Sequence, residues 1–166
     1  MTDDVEITRL AAALGSALSE RELWMVTAES CTGGGIAAAC TAVDGASSWL
    51  WGGFVTYTIE AKQQLISVPV DLLERHGAVS EPVARAMAEG ALAATPADLA
   101  VSVTGIAGPG GGEVLQPVGT VWFGWALKEG ADIRCMQTAE HHLSGSRQMV
   151  RLQAVRIALD GVLALC

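Results

Sequence analysis

Aromatic side chains are scarce in this sequence of 166 residues, since Phe, Trp and Tyr together make up 5%. Charged residues are also few, at 17%, whereas hydrophobic residues make up 51%. Disordered chains combine low hydrophobicity with high charge, so the composition argues against disorder. Because Ala and Gly outnumber the aromatic residues, we expect helices to pack closely on a sheet with little bulky filler.

Long apolar runs and paired cysteines are absent as well. No run of about 18 uncharged apolar residues occurs, which argues against a transmembrane helix. The start, Met1-Thr2-Asp3-Asp4, is acidic where a signal peptide is basic. The four cysteines form no Cys-x-x-Cys pair, and this usage is typical of a reducing compartment. We therefore expect one cytoplasmic domain spanning residues 1–166, with no membrane contact.

Basic runs are absent too. The formal net charge is −8 and the pI about 4.7, so the overall field repels nucleic acid. An anionic ligand then has to be held by local groups such as backbone N–H groups and a few arginines. No His, Cys and carboxylate spacing indicates a metal site, and the sequence predicts no cofactor.

Apolar periodicity predicts alternating helices and strands. The predicted helices span 4–19, 33–43, 59–66, 70–76 and 81–94, followed by a last helix from Ser144 or Ser146 to about Leu163. The predicted strands span 23–28, 52–58, 98–104, 118–127 and 131–139. Because only Lys128-Glu129-Gly130 separates the last two strands, at least one pair is expected to be antiparallel. These elements predict an α/β domain with a mixed sheet of about five strands covered by helices on both faces.

Ser30 lies between the first strand and a helix opened by glycines, in Ala28-Glu29-Ser30-Cys31-Thr32-Gly33-Gly34-Gly35. Ligands of open α/β sheets bind beyond the carboxyl ends of strands, so Ser30 is a candidate nucleophile. Two alternatives stay open. A Ser before a helix is most often an N-cap, and Cys31 is a second candidate nucleophile because thiols at helix N-termini can have a lowered pKa. His76, His141 and His142 stand in no recognisable catalytic pattern.

A serine nucleophile needs a base, and Lys62 is the best candidate. It lies early in the helix after the second strand, and Tyr57 ends that strand, so both are expected at the sheet edge that carries Ser30. A lysine acts as a base when burial or a cationic neighbour lowers its pKa towards about 7–8. The alternative is that Lys62 is solvated and Tyr57 only packs.

A second glycine-rich segment, Thr104-Gly105-Ile106-Ala107-Gly108-Pro109-Gly110-Gly111-Gly112, follows the third strand. It lacks the Gly-Lys-Ser/Thr of a P-loop, but its N–H groups suit a phosphate or an oxyanion. The alternative is a flexible connector. Arg147 and Arg151 share one face of the last helix and can meet a phosphate.

Several segments together resemble one family. These are Thr27–Gly34, Gly53–Tyr57 with Glu60-Ala61-Lys62, Gly77–Ser80, and Thr104–Pro109 continuing to Pro117-Val118-Gly119-Thr120-Val121. The chain resembles the CinA C-terminal domain family, whose characterised activity is nicotinamide-nucleotide amidase. The resemblance implies a three-layer α/β/α sandwich, and hydrolysis of the linear carboxamide of nicotinamide mononucleotide to give nicotinate mononucleotide and ammonia, as in pyridine nucleotide recycling.

The resemblance also implies roles for residues. Ser30 is the implied nucleophile, Lys62 its base and Tyr57 an assistant in proton transfer, with no metal. The Thr104-Gly105 segment is expected to help form the oxyanion pocket, and the glycine loop and Arg147 to meet the nucleotide phosphate. The expected substrate-binding residues are Glu29, Cys31, Thr32, Gly33, Gly34, Thr104, Gly105, Gly108, Gly110 and Arg147.

Three positions depart from the family pattern: Ile59, Gln116 and Ser146. They motivate an alternative function, in which the chain is a non-catalytic nucleotide-binding or partner-binding module that keeps the pocket. The apolar composition with Trp49 and Trp51 further predicts a homo-oligomer.

Overall fold

The computed structural model describes residues 3–166, so Met1 and Thr2 of the expected domain and of its acidic start lie outside the described residues. The helices are α1 (Asp3–Glu20), α2 (Gly35–Thr41), α3 (Ile59–Ile66), α4 (Val70–His76), α5 (Glu81–Ala93) and α6 (Arg147–Leu165). The strands are β1 (Met25–Glu29), β2 (Leu50–Val55), β3 (Leu99–Gly105), β4 (Thr120–Glu129) and β5 (Asp132–His142). None of the helices within residues 3–166 combines the length and the hydropathy of a membrane span.

The five strands form one mixed sheet in the order β2-β1-β3-β4-β5. Strand β1 is parallel to both β2 and β3. Strands β3 and β4 are antiparallel, as are β4 and β5, which confirms the antiparallel pair expected from the short turn between the last two strands. Because β1, β2 and β3 run in the same direction, the segments that follow them leave from one edge of the sheet.

Two apolar cores cover the two faces of the sheet. One core joins α1, α2 and α6 to side chains such as Met25, Val101 and Phe123. The other joins α3, α4 and α5 to side chains such as Val26 and Ala100. The expected three-layer α/β/α sandwich is therefore confirmed.

Most predicted boundaries differ from the observed ones by a few residues, and two of these differences have clear local reasons. Helix α2 begins at Gly35, not at residue 33, because Gly33 and Gly34 have positive φ angles of 62° and 94°, which a right-handed helix excludes. Strand β2 ends at Val55, so Thr56 and Tyr57 form a turn instead of the strand end. That turn leads directly into α3.

Candidate active site

Ser30 and Lys62 are in contact, although 32 residues separate them in the sequence. The turn after β1 carries Ser30, and α3 carries Lys62 in its first turn. The distance from Lys62 Nζ to Ser30 Oγ is 3.0 Å. Lys62 Nζ also donates to the carbonyl oxygens of Thr56 at 2.8 Å and Tyr57 at 3.4 Å. A neutral amine can donate to these two carbonyls and still accept the Ser30 proton with its lone pair.

The Lys62 side chain is buried, with 1% of its surface exposed, so it is not the solvated lysine of the alternative interpretation. Among the described residues no carboxylate lies within ion-pair distance of it. Burial lowers the pKa of the Lys62 amine to about 8, while the neighbouring Cys31 acts in the opposite direction. A substantial fraction of the amine is therefore neutral in mildly alkaline solution, as a general base requires.

Glu29, not Ser30, caps the start of α2. Its carboxylate accepts hydrogen bonds from the backbone N–H groups of Gly34, Ile36 and Ala37 at 2.9–3.1 Å. The hydroxyls of Thr27 and Thr32 donate to the same carboxylate. The N-cap interpretation of Ser30 is therefore wrong, and its hydroxyl is available to Lys62. Sequence reasoning missed this because Glu before a glycine run does not match the usual side-chain cap.

A cavity of about 240 Å³ opens beside Ser30. Its walls are formed by Ser30, Cys31, Tyr57, Lys62, Ala78, Val79, Thr104, Gly105, Ala107 and Arg147. Four of the expected substrate-binding residues are in this set: Cys31, Thr104, Gly105 and Arg147. The others, which are Glu29, Thr32, Gly33, Gly34, Gly108 and Gly110, lie outside the lining.

The expected substrate contact of Glu29 does not fit the structure, because its side chain is completely buried and both carboxylate oxygens are occupied at α2. Thr32 is 1% exposed, and its hydroxyl is used on Glu29. Both residues therefore shape the turn that carries Ser30, and neither faces the cavity.

The cavity wall formed by Ala78 and Val79 was not singled out from the sequence, since apolar loop residues carry no chemical signal. Thr104 Oγ1 donates to the Ala78 carbonyl oxygen at 2.7 Å, and Gln116 Nε2 donates to the Val79 carbonyl oxygen at 2.6 Å. Gln116, one of the three departures, thus fixes this wall. Ser146 caps α6 by accepting a hydrogen bond from Met149 N–H, and Ile59 is exposed at the start of α3.

Tyr57 and Arg147 meet at the cavity. Tyr57 is 57% exposed, and its hydroxyl lies 3.1 Å from Arg147 Nη2. Arg147 Nη1 donates to the Gly108 carbonyl oxygen at 2.8 Å, which ties the glycine loop to α6. Tyr57 contacts the Ser30–Lys62 pair through its backbone carbonyl, which also accepts from Ser30 Oγ at 3.5 Å.

Cys31 lines the same cavity, but burial raises the pKa of its thiol to about 11. This is the opposite of the lowered pKa expected at a helix N-terminus, so the structure disfavours Cys31 as the nucleophile. Arg151 donates to carbonyl oxygens of the Ser30 turn instead of facing the cavity with Arg147. The three histidines are also outside the lining.

Comparison with known proteins adds independent evidence. The model of the family described as "CinA C-terminal domain" matches residues 7–166. The chain is 50% identical over 160 residues to the nicotinamide-nucleotide amidohydrolase PncC of Escherichia coli (strain K12), a match covering 96% of this chain and 94% of that protein. It is 46% identical over 159 residues to the protein of the same name from Pseudomonas putida, covering 96% of each.

Solved structures agree with this match. A CinA superfamily protein from Escherichia coli superposes with a TM-score of 0.90 and 41% identity, covering 100% of this chain and 94% of that one. The competence/damage inducible protein of Agrobacterium tumefaciens gives a TM-score of 0.89 and 40% identity, covering 96% and 95%. The resemblance noted in the sequence motifs is thereby confirmed, and the chain belongs to the CinA C-terminal domain family.

Proposed function

We propose that this protein is a nicotinamide-nucleotide amidase, which hydrolyses nicotinamide mononucleotide to nicotinate mononucleotide and ammonia. The observation that carries the proposal is the hydrogen bond of 3.0 Å between Ser30 Oγ and the buried amine of Lys62. The names of the relatives from Escherichia coli and Pseudomonas putida support this reaction class.

Acylation begins when neutral Lys62 Nζ takes the proton of Ser30 Oγ and the oxygen attacks the carboxamide carbon of the substrate. The resulting tetrahedral intermediate collapses as the C–N bond breaks. The proton held by Lys62 passes to the departing nitrogen, which leaves as ammonia. The pyridine carboxyl group is then an ester of Ser30.

Deacylation repeats these steps with water as the nucleophile. Lys62 removes a proton from the water, and the hydroxyl oxygen attacks the ester carbon. The bond to Ser30 Oγ breaks, and the proton returns from Lys62 to that oxygen. Nicotinate mononucleotide leaves, and both residues recover their starting protonation states.

The oxyanion of both intermediates needs N–H donors. Within residues 3–166, no backbone carbonyl accepts a hydrogen bond from the N–H of Cys31, and Cys31 lines the cavity next to the nucleophile. We assign the oxyanion to this N–H together with the Thr104-Gly105 segment expected from the sequence. Cys31 then contributes through its backbone, which is consistent with its buried thiol.

The nucleotide phosphate is assigned to Arg147 and to the glycine loop that includes Gly108 and Gly110. Arg147 lines the cavity, and it is the arginine that reaches both the loop and Tyr57. Tyr57 remains our candidate for assisting proton transfer. Because its hydroxyl is held by Arg147, we expect this role to depend on a bound phosphate drawing the guanidinium away.

A second candidate function is favoured by the departures at Ile59, Gln116 and Ser146. In this alternative the chain binds a mononucleotide or a partner in the same cavity without turnover.

We also propose a cytoplasmic location and a homo-oligomer. Trp49 is 2% exposed and Trp51 is 42% exposed, so of these two tryptophans only Trp51 can contribute to an interface.

The test is release of ammonia and nicotinate mononucleotide from nicotinamide mononucleotide by wild type, Ser30→Ala, Lys62→Met and Lys128→Met. Loss of a nucleophile typically lowers kcat by several orders of magnitude, and loss of a general base by about 100- to 10,000-fold. Lys128, the other lysine in the sequence, donates to Thr95 O and is the matched control with unchanged turnover. Wild-type rates in all variants would refute the mechanism, whereas tight mononucleotide binding with no turnover by wild type would favour the second function.

A further inference from the structure

The turn that carries Ser30 is held from two sides. On one side the Glu29 carboxylate accepts from the N–H groups that follow the turn. On the other side Arg151 donates to two consecutive carbonyl oxygens of the turn, from Nε to Cys31 O at 3.1 Å and from Nη2 to Thr32 O at 3.0 Å. Two charged side chains therefore hold this segment: Arg151 binds carbonyl oxygens of the turn, and Glu29 binds the N–H groups at its end.

Arg151 makes these contacts from a rigid base. It lies on α6, where the flanking residues Val150, Ala154 and Val155 are buried in the core. Helix α6 also packs directly on the start of α2, because a Cβ added at Gly35 would lie 3.0 Å from Val155 Cγ2. A planar guanidinium bonded at two points fixes both the position and the orientation of what it holds.

Arg151 differs from Arg147 in its partners and in the cavity that it lines, which is a separate one of about 340 Å³ on the other side of Thr32 and Gly35. Among the described residues no carboxylate forms an ion pair with it, and two of its nitrogens are used on backbone carbonyls. It is outside the lining of the Ser30 cavity, whereas Arg147, one helical turn earlier, is part of that lining. The two arginines that the sequence placed together for a phosphate therefore have different surroundings.

We propose that Arg151 is a positioning residue for the nucleophile, which holds Ser30 Oγ at bonding distance from Lys62 Nζ. This inference rests on the proposed function, in which Ser30 attacks the carboxamide. Arg151 acts through the turn and contacts no reacting atom. Its loss therefore lowers the rate of the chemical step and leaves substrate affinity nearly unchanged.

The size of the effect follows from geometry. A displacement of about 1 Å between reacting groups can lower a rate by about 100-fold. We expect Arg151→Met to lower kcat by about 10- to 100-fold, with KM changed by less than about twofold. Arg151→Lys is expected to recover part of kcat, because an ammonium group can still donate to these carbonyls but lacks the fixed fork that holds both at once.

The experiment measures kcat and KM for wild type, Arg151→Met, Arg151→Lys, Arg147→Met and Arg134→Met. Arg134 is exposed on the edge strand β5, next to Leu127 at the opposite end of the sheet, and Arg134→Met is the matched control with wild-type values. Arg147→Met is expected to raise KM, in contrast with the fall in kcat at position 151. A raised KM with unchanged kcat in Arg151→Met would overturn the inference.

A second readout is independent of the substrate. Gly33 N–H donates to Ser30 O and Gly35 N–H donates to Thr32 O, both at 3.1 Å, and these bonds lie within the turn. We expect amide hydrogen exchange at Gly33 and Gly35 to be at least about tenfold faster in Arg151→Met than in wild type, with α5 and β3 unchanged. Unchanged exchange in the turn would overturn the inference even if wild type proved to have no amidase activity, and general acceleration would indicate a structural role alone.

Discussion

The amine of Lys62 is surrounded by backbone carbonyl groups, and no carboxylate of the described residues forms an ion pair with it. Two of these carbonyls, Thr56 O and Tyr57 O, orient the nitrogen, and Ser30 Oγ completes its surroundings. Carbonyl dipoles fix the direction of the lone pair without stabilising the ammonium form as strongly as a carboxylate would. The residue can thus be well positioned and still have a lowered pKa.

The first prediction at this scale concerns pH. The pKa of Lys62 is lowered to about 8, and only the neutral amine accepts the Ser30 proton. The rate kcat/KM should therefore rise with pH and level off above an apparent pKa near 8. Initial rates of ammonia release, measured at pH values below and above this apparent pKa, give the profile.

Lys62→Arg is the informative comparison for that profile. A guanidinium keeps its proton throughout the accessible range, so the variant should stay inactive where wild type reaches its plateau. Circular dichroism would verify that the variant is folded. An activity that is flat from pH 6 to pH 9 in wild type would contradict Lys62 as the base.

At the scale of elements, sequence patterns predicted the ends of a helix best where residues next to those ends determine them. Helices α3 and α4 begin and end where the apolar spacing and the glycine after His76 predict. The end of β2 was not predictable, because Thr56 and Tyr57 leave the strand to present their carbonyls to Lys62. The sequence predicted that Ser30 and Lys62 lie at the same edge of the sheet, but it did not predict that they are in contact. No local sequence pattern specifies the distance between side chains on different elements.

Helix α2 provides the second prediction. Glu29→Gln replaces one acceptor oxygen by an NH2 group. If the NH2 group replaces Oε1, it faces the Thr27 hydroxyl and the Ala37 N–H, which both donate to Oε1 in wild type. The hydroxyl can rotate and accept a hydrogen bond instead, whereas the backbone N–H can only donate. One partly buried N–H then faces a donor, which lowers the free energy of unfolding by about 1–3 kcal/mol.

Urea unfolding of Glu29→Gln measures this cost. Glu74→Gln is the matched control, because Glu74 is exposed on α4 and its amide should leave the midpoint unchanged. An unchanged midpoint in Glu29→Gln would mean that the carboxylate is not needed to start α2.

At the scale of the whole molecule, the two edges of the sheet differ in kind. Strand β5 carries charged residues such as Asp132, Arg134 and Glu140 along its free edge. Strand β2, Leu-Trp-Gly-Gly-Phe-Val, carries none, and its Trp51 and Phe54 rings stack with centroids 6.5 Å apart. An uncharged apolar edge strand favours pairing with another strand, and a second copy of the chain can offer the same edge across a two-fold axis.

The third prediction follows from that edge. Wild type is expected to self-associate, and Trp51→Lys to shift the protein towards the monomer by placing charge on the edge. Trp24→Lys is the control, because Trp24 is similarly exposed, at 39%, but lies outside β2. Sedimentation equilibrium over a wide range of protein concentration distinguishes these states, and a wild type that stays monomeric throughout would contradict the prediction.

The way in which Lys62 is held has a consequence for how freely the sequence around it can vary. Its two fixed partners are main-chain oxygens, which every amino acid supplies. The side chain at position 56 can therefore change without removing a partner of the base, provided that the backbone keeps its path, whereas Tyr57 is constrained by the separate role proposed for its hydroxyl. A homologue that uses a lysine base in this way needs the same backbone path around it, and many sequences can form that path.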